Sequence, residues 1–324
     1  GSGSVEVAQL LELQRVDYLA VAYADEGVEL RRGGIGLPIL VLNPEEAVFD
    51  MMLRYRLEPE LYSLRLLLSF ARFCANRQEP VPVHLKVETG MNRLGFEEDS
   101  LDEAVAELQA NPQLRVVSVF SHLAASENPE LDAFTHEQAR RFESAWQRIS
   151  AGLGYRPLRH ILNTNGIARF PQYQMDMVRL GIGLYGIPTE SLDLQPVLCL
   201  KAAISQIRTL REGDTVGYGR KGAGQAGMRI ATISIGYADG LLRAAGNGRF
   251  SVLIRGRRAP TVGNICMDMC MADISQIPDA GEGDPVVVFG PGLPLEELAA
   301  ALGTIPYEVL TGISPRVKRV YVQE

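Results

Sequence analysis

The sequence predicts an α/β domain built on parallel strands, followed by a second, β-rich domain. Short apolar runs alternate with helical patterns through residues 1–191, and repeated strand-then-helix units mean parallel strands joined by crossover helices. After Pro188 the pattern changes to strands separated by Gly-rich turns such as Gly246-Asn247-Gly248. The chain has 324 residues, 46% of them hydrophobic, which is ample for one large core and a smaller one. The expected domains are residues 1–191 and 192–324.

In the first domain, residues 18–22, 38–42, 83–87, 116–121 and 159–162 read as buried strands. Helical patterns cover 5–13, 45–54, 63–76, 101–109 and 130–153. In the last of these, Leu131, Phe134, Phe142, Ala145, Trp146 and Ile149 follow one helical stripe. Asn111-Pro112 and residues 152–157 supply breaks. This alternation suits a doubly wound sheet or most of a barrel of about 250 residues, and periodicity does not choose between them. In the second domain, strands are expected at 202–210, 229–235, 250–254, 258–262 and 285–290, with one helix at 293–302.

Several function classes are disfavoured. A net charge of −7 and a sequence pI near 5.3 argue against nucleic acid or an anionic membrane as main partner. Cys74, Cys199, Cys266 and Cys270 form no CxxC pair, so reduced thiols in a cytoplasmic setting are expected, and no metal site. No apolar run approaches the roughly 20 residues that span a bilayer, and the start Gly1-Ser-Gly-Ser4 has no signal-peptide pattern.

The chemistry-bearing residues lie in short segments. These are Lys86-Val-Glu-Thr-Gly-Met-Asn-Arg-Leu-Gly95, Phe120-Ser-His-Leu123, His160-Ile-Leu-Asn-Thr164, Met177-Val-Arg-Leu-Gly-Ile182, Gly236-Tyr-Ala-Asp-Gly240 and Gly263-Asn-Ile-Cys-Met-Asp268. Tyr307-Glu308 and Ser314-Pro-Arg-Val317 complete the set. Singly, each has an ordinary reading: Lys86 as a surface lysine, His122 as a core histidine, Thr164 and Gly181 in tight turns, Arg179 in a salt bridge, Tyr237 in a core. Together and in this order they closely resemble the alanine racemase family over nearly the whole chain. The pairing of Gly-Tyr-Ala-Asp-Gly with Cys-Met-Asp is the specific part.

The resemblance implies a (β/α)8 barrel of TIM type followed by a C-terminal β domain. It also implies pyridoxal 5'-phosphate as cofactor and interconversion of L- and D-alanine by two-base proton transfer, supplying D-alanine for peptidoglycan. On the cofactor side it assigns His122 as an aromatic plate on the pyridine ring and Arg179 as donor to the ring nitrogen. Asn163, Thr164, Gly181, Ile182 and Tyr307 would hold the phosphate. Lys86 matches a carbamylated lysine that holds Arg93, and Arg93, Met267 and Asp268 match substrate-contacting residues. Tyr237 matches one of the two bases. Tyrosine's reference pKa is about 10, so a neighbouring cation must help it ionise, and Arg93 and His160 are candidate helpers. Since the family's β domain completes the partner's barrel site, Tyr237, Met267 and Asp268 are expected to act across an obligate homodimer.

The family's Schiff-base lysine lies in a Lys-Ala-x-x-Tyr-Gly-x-Gly pattern on the first barrel strand. Gly1-Ser-Gly-Ser-Val-Glu-Val-Ala8 matches the continuation after the tyrosine, so Gly1 reads as native, with the lysine and first strand expected upstream. Lys86 has its own match, and Lys201, Lys221 and Lys318 fall in the second domain. The Gly-Ser-Gly start also resembles the racemase half of bifunctional proteins carrying a muramoyl-tripeptide:D-alanyl-D-alanine ligase upstream. Two other classes compete: a decarboxylase of basic amino acids, whose characteristic motifs are not recognised here, and a non-catalytic cofactor-binding module.

Overall fold

A computed structural model describes residues 2–189 and 192–322. The Gly1 reading and the domain boundary at residue 191 lie outside the described residues. The chain forms two compact units. The larger takes residues 3–183 with Thr189, Leu192 and Asp193, and the smaller takes Ser2, Leu184–Pro188 and residues 194–322.

The larger unit runs α1 (Ser4–Leu13), β1 (Leu19–Val21), α2 (Ala24–Arg32), β2 (Ile39–Val41), α3 (Phe49–Arg54), β3 (Glu58–Leu61) and α4 (Leu64–Phe73). It continues with β4 (Val81–Lys86), α5 (Leu101–Ala110), β5 (Leu114–Phe120), α6 (Asp132–Leu153), β6 (Leu158–His160) and α7 (Thr164–Arg169). The six strands form one parallel sheet in strict chain order, β1 to β6. A doubly wound sheet reverses its strand order at a switch point. Consecutive order does not, and it is the order of a barrel wall. Beyond β6, Met177 N and Arg179 N donate to Arg159 O and Leu162 O at 3.3 and 3.0 Å. Residues 177–179 therefore track β6 without being a strand.

Local chemistry explains the elements and two surprises. Ser63 caps α4, its Oγ accepting from Leu66 N at 3.3 Å. Gly154, at φ 73°, ends α6. The α6 pattern expected from residue 130 begins as a 3-10 turn at Pro129–Leu131, and residues 45–54 likewise divide into a 3-10 turn, Glu46–Val48, and α3. Helix α2 was hidden in sequence by Gly27, where a Cβ would lie 2.9 Å from Leu57. A side chain there would have to displace the Leu57 side chain. Strand β3 was hidden because its sequence is Glu-Pro-Glu-Leu. A barrel strand with a polar inward face loses the apolar alternation used to find strands.

The smaller unit contains β7 (Leu200–Thr209), β8 (Thr215–Val216), β9 (Gly222–Ala223), β10 (Arg229–Ile233), β11 (Ser251–Ile254), β12 (Arg257–Pro260), β13 (Cys270–Asp273), β14 (Pro285–Phe289), α8 (Leu295–Leu302) and α9 (Pro306–Thr311). Six strands pair antiparallel in the order β12-β11-β14-β7-β10-β13, and a Thr261–Ala272 bridge brings the two edges together. Closure of this kind removes the exposed edges of a sheet. Ala231, Ile233, Val252, Ile254, Ala259, Cys270, Ala272 and Val286 are fully buried inside it.

Candidate active site

Lys86 ends β4 and Phe120 ends β5, and the two are register partners. The Lys86 Nζ sits 4.6 Å from the centre of the Phe120 ring, which stacks on His160 with centroids 4.7 Å apart. Glu60 on β3 shares this buried space. Sequence reading missed it, because a glutamate in a strand without apolar alternation carries no local signal. Burial pushes the Glu60 carboxyl up to about 7, opposed by the charge of Lys86. Burial pulls Lys86 down to about 8, opposed by Glu60 and assisted by Arg179 and Arg93. Both charged forms are disfavoured in the same poorly solvated place.

Beyond β4 the chain turns back at once. Phe96 N donates to Lys86 O at 2.8 Å and Glu88 N to Phe96 O at 3.0 Å. Gly95 makes this return possible: φ is 138°, and a Cβ would lie 2.5 Å from Glu88 N. The Glu88 carboxylate accepts from Gly90 N, and from Arg93 N at 3.4 Å. Burial raises its pKa, but the backbone donors of Asn92, Gly90, Arg93 and Met91 outweigh this and hold it low. The loop that carries Arg93 is therefore organised by Glu88, a second residue missed in sequence, and Arg93 itself is exposed.

Arg179 is the hub of the barrel site. Its Nη1 donates to His160 Nδ1 and, at 3.3 Å, to His160 O. Its Nη2 has Ser121 O at 2.6 Å, Ile161 O at 3.2 Å and His122 Nδ1 at 3.3 Å. The Nε–H has no hydrogen-bond acceptor among the described residues. Burial and then the charge of Arg179 depress both histidines, His122 to about 3 and His160 well below the usual range. Both are neutral rings at physiological pH. Gln138 on α6 anchors the segment after β5, donating to His122 O at 3.0 Å and accepting from Ala124 N at 2.9 Å.

Asn163 and Thr164 begin α7. The Asn163 Oδ1 accepts from Gly166 N at 2.9 Å and from Ser126 Oγ at 2.8 Å, so its side chain serves as the helix cap. The Thr164 Oγ1 accepts from Gly181 N at 3.1 Å and Gly183 N at 3.3 Å. Ile182 opens the 3-10 turn Ile182–Tyr185. The Gly181 and Gly183 N–H groups are engaged by Thr164, whose own hydroxyl proton is left to give, and a Cβ on Gly181 would meet nothing within 4 Å, so the backbone is open on that side. A hydroxyl donor beside open backbone suits an anion. With the neutral His122 ring and the unmatched Arg179 Nε–H, it fits a phosphorylated pyridine.

The smaller unit brings Tyr237, Met267 and Asp268 together by backbone bonds. Tyr237 N donates to Cys266 O and Ala238 N to Met267 O, both at 3.0 Å. A Cβ on Gly236 would lie 2.4 Å from Cys266 O and Met267 O, so only glycine allows the two loops to meet. Asp239 closes the turn, its Oδ2 accepting from Gly236 N at 2.9 Å. Arg316 then bridges the loops, with Nε to Asp239 Oδ1 at 2.7 Å and Nη2 to Asp268 Oδ1 at 2.8 Å. Neither Asp239 nor Arg316 was singled out in sequence, although each lies within a quoted motif. The Tyr237 and Met267 side chains are 39% and 54% exposed. Tyr307 lies in the first turn of α9.

Comparison with known proteins agrees over the whole chain. The family described as "Alanine racemase, N-terminal domain" matches residues 1–189, and "Alanine racemase, C-terminal domain" matches residues 197–321. The alanine racemase of Desulfovibrio desulfuricans is 38% identical over 332 aligned positions, covering 100% of this chain and 88% of that protein. The solved alanine racemase of Clostridium difficile 630 superposes with a TM-score of 0.91 at 37% identity, covering 99% of this chain and 86% of that one. The Bartonella henselae alanine racemase, solved with covalently bound pyridoxal phosphate, superposes at 0.89 with 28% identity, covering 99% and 89%. The chain belongs to the alanine racemase family, whose members are isomerases.

Proposed function

We propose that this protein interconverts L- and D-alanine with pyridoxal 5'-phosphate, by proton transfer on both faces of Cα. The observation that carries the reading is the Arg179 cluster. A donor-only head, a neutral histidine ring and the Thr164 hydroxyl lie on successive barrel segments.

Pyridoxal phosphate, when bound, supplies the electron sink that acidifies the Cα–H of the amino acid. The Thr164 hydroxyl and the backbone at Gly181 and Ile182 would hold the phosphate, and Asn163 fixes the turn that presents them. His122 would lie against the ring. Arginine only donates, so the Nε–H of Arg179 requires an unprotonated nitrogen opposite it. That restraint weakens the sink and leaves the side chains the task of returning the proton promptly. Tyr237 would move the proton on one face of Cα, with a second base required on the other. Met267 and Arg93 receive the substrate carboxylate. The salt bridge from Arg316 orients Asp268 next to Met267.

Lys86 suits the carbamate role. A neutral amine, not an ammonium, adds carbon dioxide, and burial favours the amine here. The assembly is a homodimer in which Tyr237, Met267 and Asp268 of one subunit serve the partner's barrel. Their exposure supports that reading. Four free cysteines support a reducing cytoplasm, where D-alanine feeds peptidoglycan synthesis. No described helix is long and apolar enough to cross a membrane.

The test is the circular dichroism of L-alanine incubated with the cofactor-loaded full-length protein. The signal should decay to zero with alanine conserved, and D-alanine should decay to the same end point. Release of carbon dioxide would instead identify a decarboxylase. Cofactor binding with an unchanged signal would identify a non-catalytic module.

A further inference from the structure

Behind Arg179 the barrel interior holds a line of polar side chains that the site chemistry does not use. Tyr18 Oη lies 3.2 Å from Glu58 Oε2. The same carboxylate oxygen lies 2.8 Å from His84 Nε2. His84 Nδ1 is 2.7 Å from Ser118 Oγ, and Ser118 Oγ is 2.9 Å from His160 Nε2. His160 Nδ1 meets Arg179 Nη1. Four barrel strands, β3 to β6, contribute one member each. His84, Ser118 and His160 are completely buried.

The two ends fix the direction of every bond between them. Arginine can only donate and an ionised carboxylate can only accept. Arg179 donating to Nδ1 makes that nitrogen the bare one, so neutral His160 carries its proton on Nε2 and donates to Ser118 Oγ. The Ser118 hydroxyl then has one proton to give, and His84 Nδ1 is its remaining neighbour in the line. His84 in turn holds its proton on Nε2 and donates to Glu58. A cationic His84 would aim two donors at Ser118 Oγ and leave a buried hydroxyl proton without an acceptor, a costly arrangement. The line thus has one satisfied state, with all protons pointing from Arg179 toward Glu58. Hydrogen bonds in such chains polarise one another.

We propose that Glu58 is a positioning residue for Arg179, acting through His84, Ser118 and His160 as a single directed relay. The carboxylate withdraws proton density along the chain, fixes the His160 tautomer and holds the Arg179 head by Nη1, leaving its Nε–H without an acceptor among the described residues. The consequence for the cofactor rests on the reading that Arg179 meets the ring nitrogen.

The relay itself is read without the cofactor, by the nitrogen NMR signals of ring-labelled histidine in the full-length protein. His84 and His160 should each show a protonated Nε2 and a bare Nδ1. Glu58→Gln keeps the size and removes the charge, and it should shift the ring signals of His160, which Glu58 does not touch. In a Ser118→Ala background the same substitution should shift His84 and leave His160 still. A His160 proton on Nδ1 would overturn the proposal. So would an equal shift of His160 in both backgrounds. If Ser118→Ala does not fold, an unmoved His160 in Glu58→Gln alone would overturn it. The cofactor absorbance of the loaded protein separates the two readings. Arg179→Lys should move the band, and Glu58→Gln should move it in the same direction by less. An unmoved band in Arg179→Lys would refute the ring contact while the NMR result still decides the relay. A band moved by Arg179→Lys but not by Glu58→Gln would overturn the relay's reach.

Discussion

At the scale of single residues, the site depends on glycines as much as on charged groups. Gly95 has φ 138° and backbone at 2.5 Å from where its Cβ would be. Neither the conformation nor the space admits a side chain. Gly95→Ala should cost about 1–3 kcal/mol, the range for a strained backbone position, and should disorder the loop that carries Arg93. Denaturant unfolding would show it as a lower midpoint with an unchanged slope, and an unchanged midpoint would refute the strain argument. Gly236 makes the same kind of demand on the loops of Tyr237 and Met267. Charged groups act by a different rule. Arg316 is half-exposed, and its two ion pairs serve geometry more than stability.

At the scale of elements, short helices and turns aim the binding groups. Helix α7 is only six residues long, so its first turn depends on the cap. Asn163→Ala should remove about 1 kcal/mol of stability and weaken cofactor affinity, because the Thr164 hydroxyl rides on that turn. Thermal melting with a pyridoxal phosphate titration checks both, and an unchanged affinity would show that α7 does not carry the phosphate site. The elements also show what the sequence could and could not reveal. Apolar strands such as β2 and β5 and the stripe of α6 were legible, because burial against one core imposes a period. Strand β3 was not, because Glu58 and Glu60 face the interior and Pro59 breaks the pattern. The motif residues His122, His160 and Arg179 were legible as a set, and the structure gathers them in one cluster. Glu58, Ser118 and Gln138 were not, because each gains its role from partners far away in sequence. No local spacing marks such partners.

At the scale of the whole molecule, the buried ionisable groups predict a signed pH dependence. Burial and Arg179 hold His122 near 3 and His160 well below 6.5. In acid the unfolded chain binds protons on these histidines that the folded chain refuses. Their contribution to stability is therefore present above about 6.5 and is lost as pH falls through the unfolded value. Glu60 runs the other way. Its folded value of about 7 lies above 4.5, so the folded state binds the extra proton, and its contribution is present below 4.5 and lost as pH rises through 7. Glu60→Gln should remove this opposing slope and steepen the loss of stability from pH 7 to 4.5. The steepening is at most about 1.4 kcal/mol per pH unit for one proton. Urea unfolding at a series of pH values reads it, and a parallel pair of curves would contradict the buried-carboxyl assignment. The central claim, a racemase with bases on two faces, is tested most directly by solvent hydrogen exchange at Cα in a Tyr237→Phe variant of the full-length protein. Only one hydroxyl is removed, so folding and cofactor absorbance should persist while racemisation falls severely in both directions. The variant should still exchange the Cα proton of D-alanine without inversion and should no longer exchange that of L-alanine. Wild-type racemisation by the variant would contradict the account, and exchange retained from L-alanine but lost from D-alanine would reverse the face on which Tyr237 acts.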